Sequence, residues 1–187
     1  MNNQYYIDII RPKLTEKRFH HSMCVAGMAG KLAEKYGADP EKAYVAGILH
    51  DIMKDTPKDE QLKIIENSDI LLDNVEKSQF KLLHAIAGYA YIRDVLKIDD
   101  EEILTAVRYH TTGRASMTLM EKILYVADYI SEDRDFEGVE KLRKLASQSL
   151  DSVMLECTKF TINDLLGLEC PVHPDSIDAY NDCVIRN

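Results

Sequence analysis

The sequence places an imidazole beside a carboxylate at His50-Asp51, where an apolar helix is expected to end, and Lys54 follows one turn later. A buried aspartate is costly unless a cation pairs with it. A metal ion is such a cation, because neutral imidazole and ionised carboxylate both supply lone pairs. Taken alone, the pair equally fits a histidine neutralised by its neighbour or a carboxylate that helps to end the helix. The dipeptide therefore indicates a metal site only if further ligands join it.

Two residues distant in the chain, His21 and Asp128, are suited to complete such a site. His21 lies on a predicted helix that faces the one ending at His50. Asp128 is flanked on both sides by apolar residues in what is expected to be the middle of a later helix. An aspartate in such a stretch needs a partner inside the protein, and a buried ion pair with an arginine is the alternative to metal binding.

The elements that must position these residues are predicted to be helices. Apolar residues recur at three- and four-residue steps, and proline, glycine and N-cap signals mark the ends of the helices. Thr118 to Glu121 has the form of a capping box, which would open the helix that carries Asp128. Residues 67–79 are predicted to be a polar connection, and the proline-rich run 170–174 to be coil. The predicted helices cover about 14–36, 40–53, a short segment opened by Thr56-Pro57, 80–96, 99–109, 118–130 and a pair over 138–166.

The composition is typical of a folded domain with an acidic surface. The 187 residues are 45% apolar, and 32 acidic against 23 basic side chains give a formal charge of −9. Because binding to a nucleic-acid polymer requires a basic surface, we expect no such partner. No apolar run reaches the roughly 20 residues of a membrane span, and no signal-peptide pattern is present, so we expect no membrane association.

The cysteines and the chain length add two expectations. Four cysteines without a Cys-x-x-Cys pair argue against a cysteine zinc site and favour reduced thiols in a cytoplasmic protein. The length suits one domain. We therefore expect an all-α single domain over 1–187, with its core at about 14–166 and a C-terminal tail, 167–187, that packs near the site.

The order His21, His50-Asp51, Asp128 resembles the H…HD…D signature of the HD-domain metal-dependent phosphohydrolases. Further motifs narrow the resemblance to the YqeK family, which is similar to this chain throughout 5–185. These motifs are Arg18-Phe-x-His21-Ser22, His84-Ala85, Arg108-Tyr-His110-Thr111-Thr-Gly-Arg114, and the run from Met117 through Asp128-Tyr129 to Arg134. The resemblance implies an HD-domain helical bundle. It also implies symmetrical hydrolysis of diadenosine tetraphosphate, and of related dinucleoside polyphosphates, to two ADP, with iron in the HD site.

By the same resemblance, the metal ligands are His21, His50, Asp51 and Asp128. Two imidazoles and two carboxylates suit iron, manganese or zinc better than copper, and they leave positions for water and a phosphate oxygen. The expected cofactor is thus a divalent metal, iron by resemblance, as one or two ions. Such a metal lowers the pKa of its water and takes part of the charge on the attacked phosphoryl group.

The expected catalytic residues are Asp51, His84 and His110. Asp51 is suited to orient or deprotonate the attacking water while it also coordinates the metal, because a carboxylate has two oxygens. For His84 and His110 two roles stay open: binding a second metal ion, or contacting phosphate and protonating the leaving group. Cations for the polyphosphate and a tail histidine over the nucleotide complete the expected substrate-binding residues, which are Arg18, Lys54, His84, His110, Thr111, Arg114, Arg134 and His173.

Two other functions fit the same sequence. An HD-type nucleotidase or phosphohydrolase acting on mononucleotides would share the ligands and differ in lacking room for a second nucleoside. A non-catalytic nucleotide sensor would bind nucleotide without turnover under any metal. The sequence distinguishes neither adenine from guanine nor a monomer from the homodimer that we also consider.

Overall fold

The computed structural model describes residues 3–186, and this part of the chain forms eleven α-helices and no strand, which confirms the all-α prediction. In chain order the helices are α1 Asn3–Ile10, α2 Glu16–Tyr36, α3 Pro40–Leu49, α4 Lys58–Glu66, α5 Asn74–Ser78, α6 Phe80–Asp94, α7 Glu101–Tyr109, α8 Leu119–Ile130, α9 Val139–Ala146, α10 Leu150–Gly167 and α11 Pro174–Arg186. Within residues 3–186, none of these helices combines the length and the apolar character that crossing a bilayer requires.

Helix α2 carries the candidate ligand His21, and helix α3 ends just before the candidate ligand His50. The two helices pack with their backbones in contact. A Cβ atom added to Gly47 would lie only 2.5 Å from the Cα atom of Ala26, so the helices can approach this closely only with glycine at that position. Helices α7 and α8 both pack against α3, and α8 also packs against α2. These four helices therefore form the frame that brings His21, His50 and Asp128 to one end of the bundle.

Most of the predicted helix signals act as expected. The side chain of Asp39 accepts hydrogen bonds from the backbone N–H groups of the first turn of α3, and Asp100 does the same for α7. Gly37 ends α2 in the left-handed conformation, with φ of 80°. At α8 the capping box forms, because Thr118 and Glu121 each accept from the other's backbone N–H.

Several helix ends differ from the prediction by a few residues. Helix α3 ends at Leu49 and not near residue 53, because the chain turns through 50–55 and His50 becomes the C-cap. Thr56 does not cap α4, since its hydroxyl donates to the sulfur of Met53. Helix α2 begins at Glu16, after its cap. Helix α6 ends at Asp94 and not at residue 96.

Three helices, α1, α5 and α11, were not predicted. Helix α5 lies inside the supposed connection 67–79 and is opened by its own Asp73–Glu76 capping box. Helix α11 begins at Pro174, because proline suits the first turn of a helix, so coil is confined to 170–173. Ile10 at the end of α1 and Ala179 in α11 are buried, and the interior therefore extends beyond 14–166 on both sides.

Candidate metal centre

Three buried histidines, His50, His84 and His110, share one backbone arrangement. Each ring donates its Nδ1 proton to the carbonyl oxygen three residues earlier in the chain, at 2.7 Å in every case. Because a carbonyl can only accept, Nδ1 carries a proton in each ring, and Nε2 is the nitrogen left to bind a cation when the ring is neutral. Burial lowers the pKa of His84 to about 4, which keeps that imidazole neutral at physiological pH. Three Nε2 atoms are thus prepared to bind a cation.

His21 is oriented by a carboxylate and not by a carbonyl. Its Nδ1 lies 2.8 Å from Oδ2 of Asp133, and its Nε2 lies 2.9 Å from Oδ1 of Asp128. Asp133 is itself held by the hydroxyl of Ser131, at 2.7 Å. A carboxylate behind a histidine fixes the ring and raises its basicity as a metal ligand. Sequence reasoning missed Asp133, whose only local signal is that it directly precedes Arg134.

The four imidazoles form a continuous row. Ring centroids are 5.4 Å apart for His21 and His50, 5.1 Å for His50 and His110, and 5.1 Å for His110 and His84. Three overlapping groups of ligand atoms, each within 4.8 Å of one another, connect the row to two aspartates. The groups are His21, His50 and Asp51; His50, His110 and Asp128; and Asp51, His84 and His110. We call these six residues the His/Asp cluster.

Asp51 occupies the centre of the His/Asp cluster and is almost fully buried. Its Oδ2 accepts a hydrogen bond of 2.8 Å from Arg18, and its Oδ1 lies 3.1 Å from Nε2 of His84. Burial alone would raise the pKa of this carboxyl group. The adjacent imidazoles of His50, His110 and His84 outweigh burial and hold the pKa well below its ordinary value. Asp51 is therefore ionised and available as a metal ligand.

The donor atoms of the cluster fit a divalent metal. Within the described residues, His50 Nε2 and Asp51 Oδ1 are buried and make no hydrogen bond. The Nε2 atoms of His84 and His110, each with a lone pair, lie only 3.2 Å apart. Buried polar atoms without partners and facing lone pairs are both unfavourable in the protein alone, and one kind of ligand, a cation, relieves them all.

Asp128 differs from its prediction in position. It lies in the last turn of α8 and not in the middle of the helix, and its side chain is 18% exposed. Arg134 donates to its carboxylate and, at 2.7 Å, to its backbone carbonyl, so the ion pair considered from sequence is formed. The pKa of Asp128 is lowered, because His21 and Arg134 outweigh burial. The ion pair still allows Asp128 to bind a metal, because a carboxylate has two oxygens and that of Asp128 lies within the cluster.

Cations surround the cluster inside an otherwise acidic protein. Lys54 Nζ lies 3.2 Å from Nε2 of His84 and 3.9 Å from Oδ1 of Asp51. Burial lowers the pKa of Lys54, and the nearby Arg18 lowers it further, while Asp51 opposes both. Arg18, Lys54 and Arg134 together place positive charge where a polyphosphate would meet the cluster.

Two cavities open beside the cluster and share Thr111. The first has a volume of about 390 Å³, and the second about 190 Å³. The first cavity is lined by His110, Thr111, Asp128, Tyr129, Arg134, Phe136 and Phe160. The second is lined by Lys54, Gln79, Lys81, Leu82, Thr111, Thr112, Thr161, Leu165, Pro171, His173 and Ser176. Of these, Phe136, Phe160 and Thr161 were not singled out from sequence.

Two predicted substrate-binding residues, Arg114 and His173, have charged partners outside the cluster. Arg114 donates to the fully buried Glu121 at 2.8 Å, and its guanidinium stacks over Tyr109. In the described structure Arg114 lines neither cavity, and its predicted contact with phosphate stays a prediction. His173 lines the second cavity, and its predicted contact with the nucleotide stays a prediction. Its Nδ1 accepts from the backbone N–H of Asp175, which leaves the proton on Nε2.

The segment that carries His173 contacts Glu76. His173 Nε2 lies 3.7 Å from Oε1 of Glu76, and Arg108 donates to the same oxygen at 2.6 Å. Burial would raise the pKa of Glu76, but His173, the backbone N–H of Asp73 and Arg108 lower it to about 2. One buried carboxylate thus joins α5, α7 and the segment before α11.

Changing Glu76 to glutamine is expected to lower the free energy of unfolding by about 2 kcal/mol at neutral pH, because charged hydrogen bonds are lost. The folded-state pKa of about 2 lies below the ordinary value of 4.5. The stabilisation by Glu76 is therefore complete above pH 4.5 and is lost as the pH falls toward 2. Denaturant unfolding of both proteins between about pH 7 and pH 3 measures this effect. A stability difference that stays constant over that range would contradict the assignment.

Comparison with known proteins agrees with the geometry. The HD domain family model matches residues 18–133, which include all six residues of the cluster. The chain belongs to the HD-domain family. This HD-domain chain is 40% identical to the symmetrical bis(5'-nucleosyl)-tetraphosphatase of Halalkalibacterium halodurans, covering 100% of this chain and 99% of the relative. It is 40% identical to the protein of the same name from Bacillus subtilis, covering 97% of each chain.

A solved structure agrees with the fold. It is described as a predicted HD superfamily hydrolase involved in NAD metabolism from Clostridium acetobutylicum. The TM-score is 0.96 at 37% identity, over 100% of this chain and 99% of that one. The resemblance to the HD-domain phosphohydrolases and to the YqeK family, stated from motifs, is confirmed. The HD-domain bundle expected from it is confirmed as well.

Proposed function

We propose that this HD-domain protein hydrolyses dinucleoside tetraphosphates symmetrically, so that diadenosine tetraphosphate and water give two ADP. The observation that carries the proposal is the gathering of imidazole nitrogens and carboxylate oxygens into three overlapping groups of one cluster, with Arg18, Lys54 and Arg134 beside it. Ligands for a metal and cations for phosphate are the two requirements of phosphoanhydride hydrolysis. The full-length relatives named as symmetrical tetraphosphatases support the choice of substrate.

The residues that would hold the metal are His21, His50, Asp51 and Asp128. When bound, a divalent metal supplies a water of lowered pKa and neutralises charge on the attacked phosphoryl group. Asp51 orients the attacking water and accepts its proton, since it is ionised and central in the cluster. The water oxygen bonds to one of the two central phosphorus atoms, and the bond from that phosphorus to the bridging oxygen breaks.

The remaining residues bind and stabilise the polyphosphate. Arg18 and Arg134 present guanidinium groups that can contact two phosphate oxygens at once, and Lys54 acts as a point charge. Thr111, shared by both cavities, contacts the chain of phosphates between them. For His84 and His110 two roles stay open, binding a second ion or contacting the leaving ADP; protonation of its terminal oxygen would need a proton on Nε2, which the neutral ring of His84 does not carry. The identity of the first ion is proposed to be iron, with manganese and zinc as alternatives for this donor set.

Changing Lys54 to glutamine is expected to raise the KM for diadenosine tetraphosphate about tenfold, which is the loss of one charged hydrogen bond. The reason is that Lys54 combines contact with the cluster and a place on the wall of the second cavity. Steady-state kinetics measures the effect, and Lys58→Gln on the exposed start of α4 is the matched control. A variant with unchanged KM would contradict the assignment.

Product analysis tests the proposed function against its alternatives. Metal-loaded protein is incubated separately with diadenosine tetraphosphate and with mononucleotides, and the nucleotides are separated by chromatography. We expect ADP as the sole nucleotide product of the dinucleotide. Equal amounts of AMP and ATP would contradict symmetrical cleavage, and hydrolysis of mononucleotides alone would favour the nucleotidase. Tight nucleotide binding without turnover under any metal would favour the sensor.

A cytoplasmic location, a homodimer and the absence of nucleic-acid partners stay predictions.

A further inference from the structure

The two cavities beside the His/Asp cluster are separated by a wall built from α8 and α10. Phe160 of α10 lines the first cavity, and the next residue, Thr161, lines the second, because successive side chains on a helix point about 100° apart. The hydroxyl groups of Tyr129 and Thr161 form a hydrogen bond within this wall. Both cavities are nevertheless lined by Thr111, the residue that follows His110 of the cluster.

The first cavity combines an aromatic wall with a polar end. Phe136 and Phe160 have ring centroids 5.3 Å apart, and Tyr129 lies 6.1 Å from Phe160 edge to face. Phe160 is 45% exposed, so part of its ring is open to a ligand in this cavity. At the other end stand Asp128 and Arg134, a candidate metal ligand and a cation. Its volume of about 390 Å³ falls within the range of small-molecule sites.

This arrangement matches a nucleoside joined to phosphate. Aromatic side chains stack on any of the nucleic-acid bases, and a guanidinium binds the phosphate attached to the nucleoside. Symmetrical cleavage of a tetraphosphate requires the reacting phosphorus to lie midway between two nucleosides. A cluster placed where two cavities meet satisfies that requirement, whereas a mononucleotide would need only one cavity.

Building on the proposed function, we infer that the cavity formed by Tyr129, Phe136 and Phe160 binds one nucleoside of the dinucleotide, with its base against Phe160. The other nucleoside occupies the second cavity, and the tetraphosphate passes Thr111 and the cluster between them. Phe136 and Phe160 are then the residues that make the protein selective for dinucleotides over substrates with one nucleoside.

The test compares two substrates that are cleaved at the same bond. Diadenosine tetraphosphate has two nucleosides, and adenosine 5'-tetraphosphate has one. We expect Phe160→Leu to lower kcat/KM for the dinucleotide by at least about fivefold, the lower limit for losing one base–aromatic stack. We place the single nucleoside of adenosine tetraphosphate in the second cavity, so its kcat/KM stays unchanged, and Phe160→Tyr, which keeps the ring, retains the wild-type preference. Tyr5→Leu, at an aromatic residue 52% exposed on α1, is the control for loss of an exposed ring.

The outcomes separate this inference from the proposed function. Equal kcat/KM for the dinucleotide in wild type and Phe160→Leu, or an equal fall for both substrates, would overturn the inference. Phe136→Leu repeats the test if the first variant unfolds. Absence of ADP from either substrate with wild-type protein would instead overturn the proposed function. In that case the inference is tested by binding of a non-hydrolysable dinucleotide, in which a methylene group replaces the central bridging oxygen. The inference requires Phe160→Leu to bind this analogue more weakly than the wild type does. Equal affinity of the two proteins would overturn it.

Discussion

Changing Asp51 to asparagine is expected to lower kcat for diadenosine tetraphosphate by about 10³-fold, within the range for losing a general base. Asparagine has the same shape but carries no negative charge and cannot take a proton from water. Affinity for ADP should change far less, because Arg18, Lys54 and Arg134 remain to bind phosphate. Steady-state kinetics and calorimetric titration with ADP measure the two effects separately.

A matched control for this variant is Asp99→Asn, which makes the same chemical change at an exposed position before α7. It should keep the wild-type kcat. If Asp51→Asn weakened ADP binding while kcat stayed at the wild-type value, the role given to this carboxylate in turnover would be wrong.

Changing Asp128 to alanine is expected to remove the bound metal and to reduce hydrolysis by at least about 10³-fold. The carboxylate is a candidate ligand; it accepts a hydrogen bond from Arg134, and its Oδ1 lies 2.9 Å from Nε2 of His21. Without it, the imidazole loses the contact that aligns its Nε2, and the guanidinium keeps an unbalanced charge beside the cluster. Elemental analysis of the purified variant, together with its rate of ADP release, measures both losses.

Asp135→Ala, at an exposed site on the loop that follows α8, is the control. It removes a carboxylate from the same region without touching the cluster and should retain metal and activity. Full activity in Asp128→Ala would show that the arginine ion pair is the whole role of this residue.

The sequence was sufficient for the ligands that local patterns mark. His50-Asp51 stands out because a charged residue follows an apolar helix, and the Thr118–Glu121 capping box marks the start of the helix carrying Asp128. These signals depend on neighbours within a few residues. Resemblance to a family then supplied what spacing could not, namely that candidate ligands 107 residues apart, such as His21 and Asp128, meet in one cluster.

The residues that were missed act through contacts between distant parts of the chain. Asp133 orients His21 across 112 residues, and no local pattern marks it as the partner of a histidine. Phe136 and Phe160 form one wall of a cavity only because α10 packs against α8. Helix α11 was missed for another reason: its prolines were read as a sign of coil, although Pro174 begins the helix.

Arg114 shows how a motif can mislead about a single member. It stands four residues after His110 in the run that carries the resemblance, which favoured a contact with phosphate. In the folded protein Glu121 is fully buried and needs a cation, and Arg114 supplies it. The charge of Arg114 is therefore paired at the start of α8, and the cations that contact the cluster are Arg18, Lys54 and Arg134.

The most direct test of the metal centre is to remove the metal and put it back. Protein purified without chelator is analysed for bound transition metals, dialysed against a strong chelator, assayed for ADP release, and assayed again after iron, manganese or zinc is added. We expect one or two ions per chain at the start, no hydrolysis after chelation, and recovery when a suitable ion returns. Undiminished ADP release by protein shown to be free of metal would contradict the account.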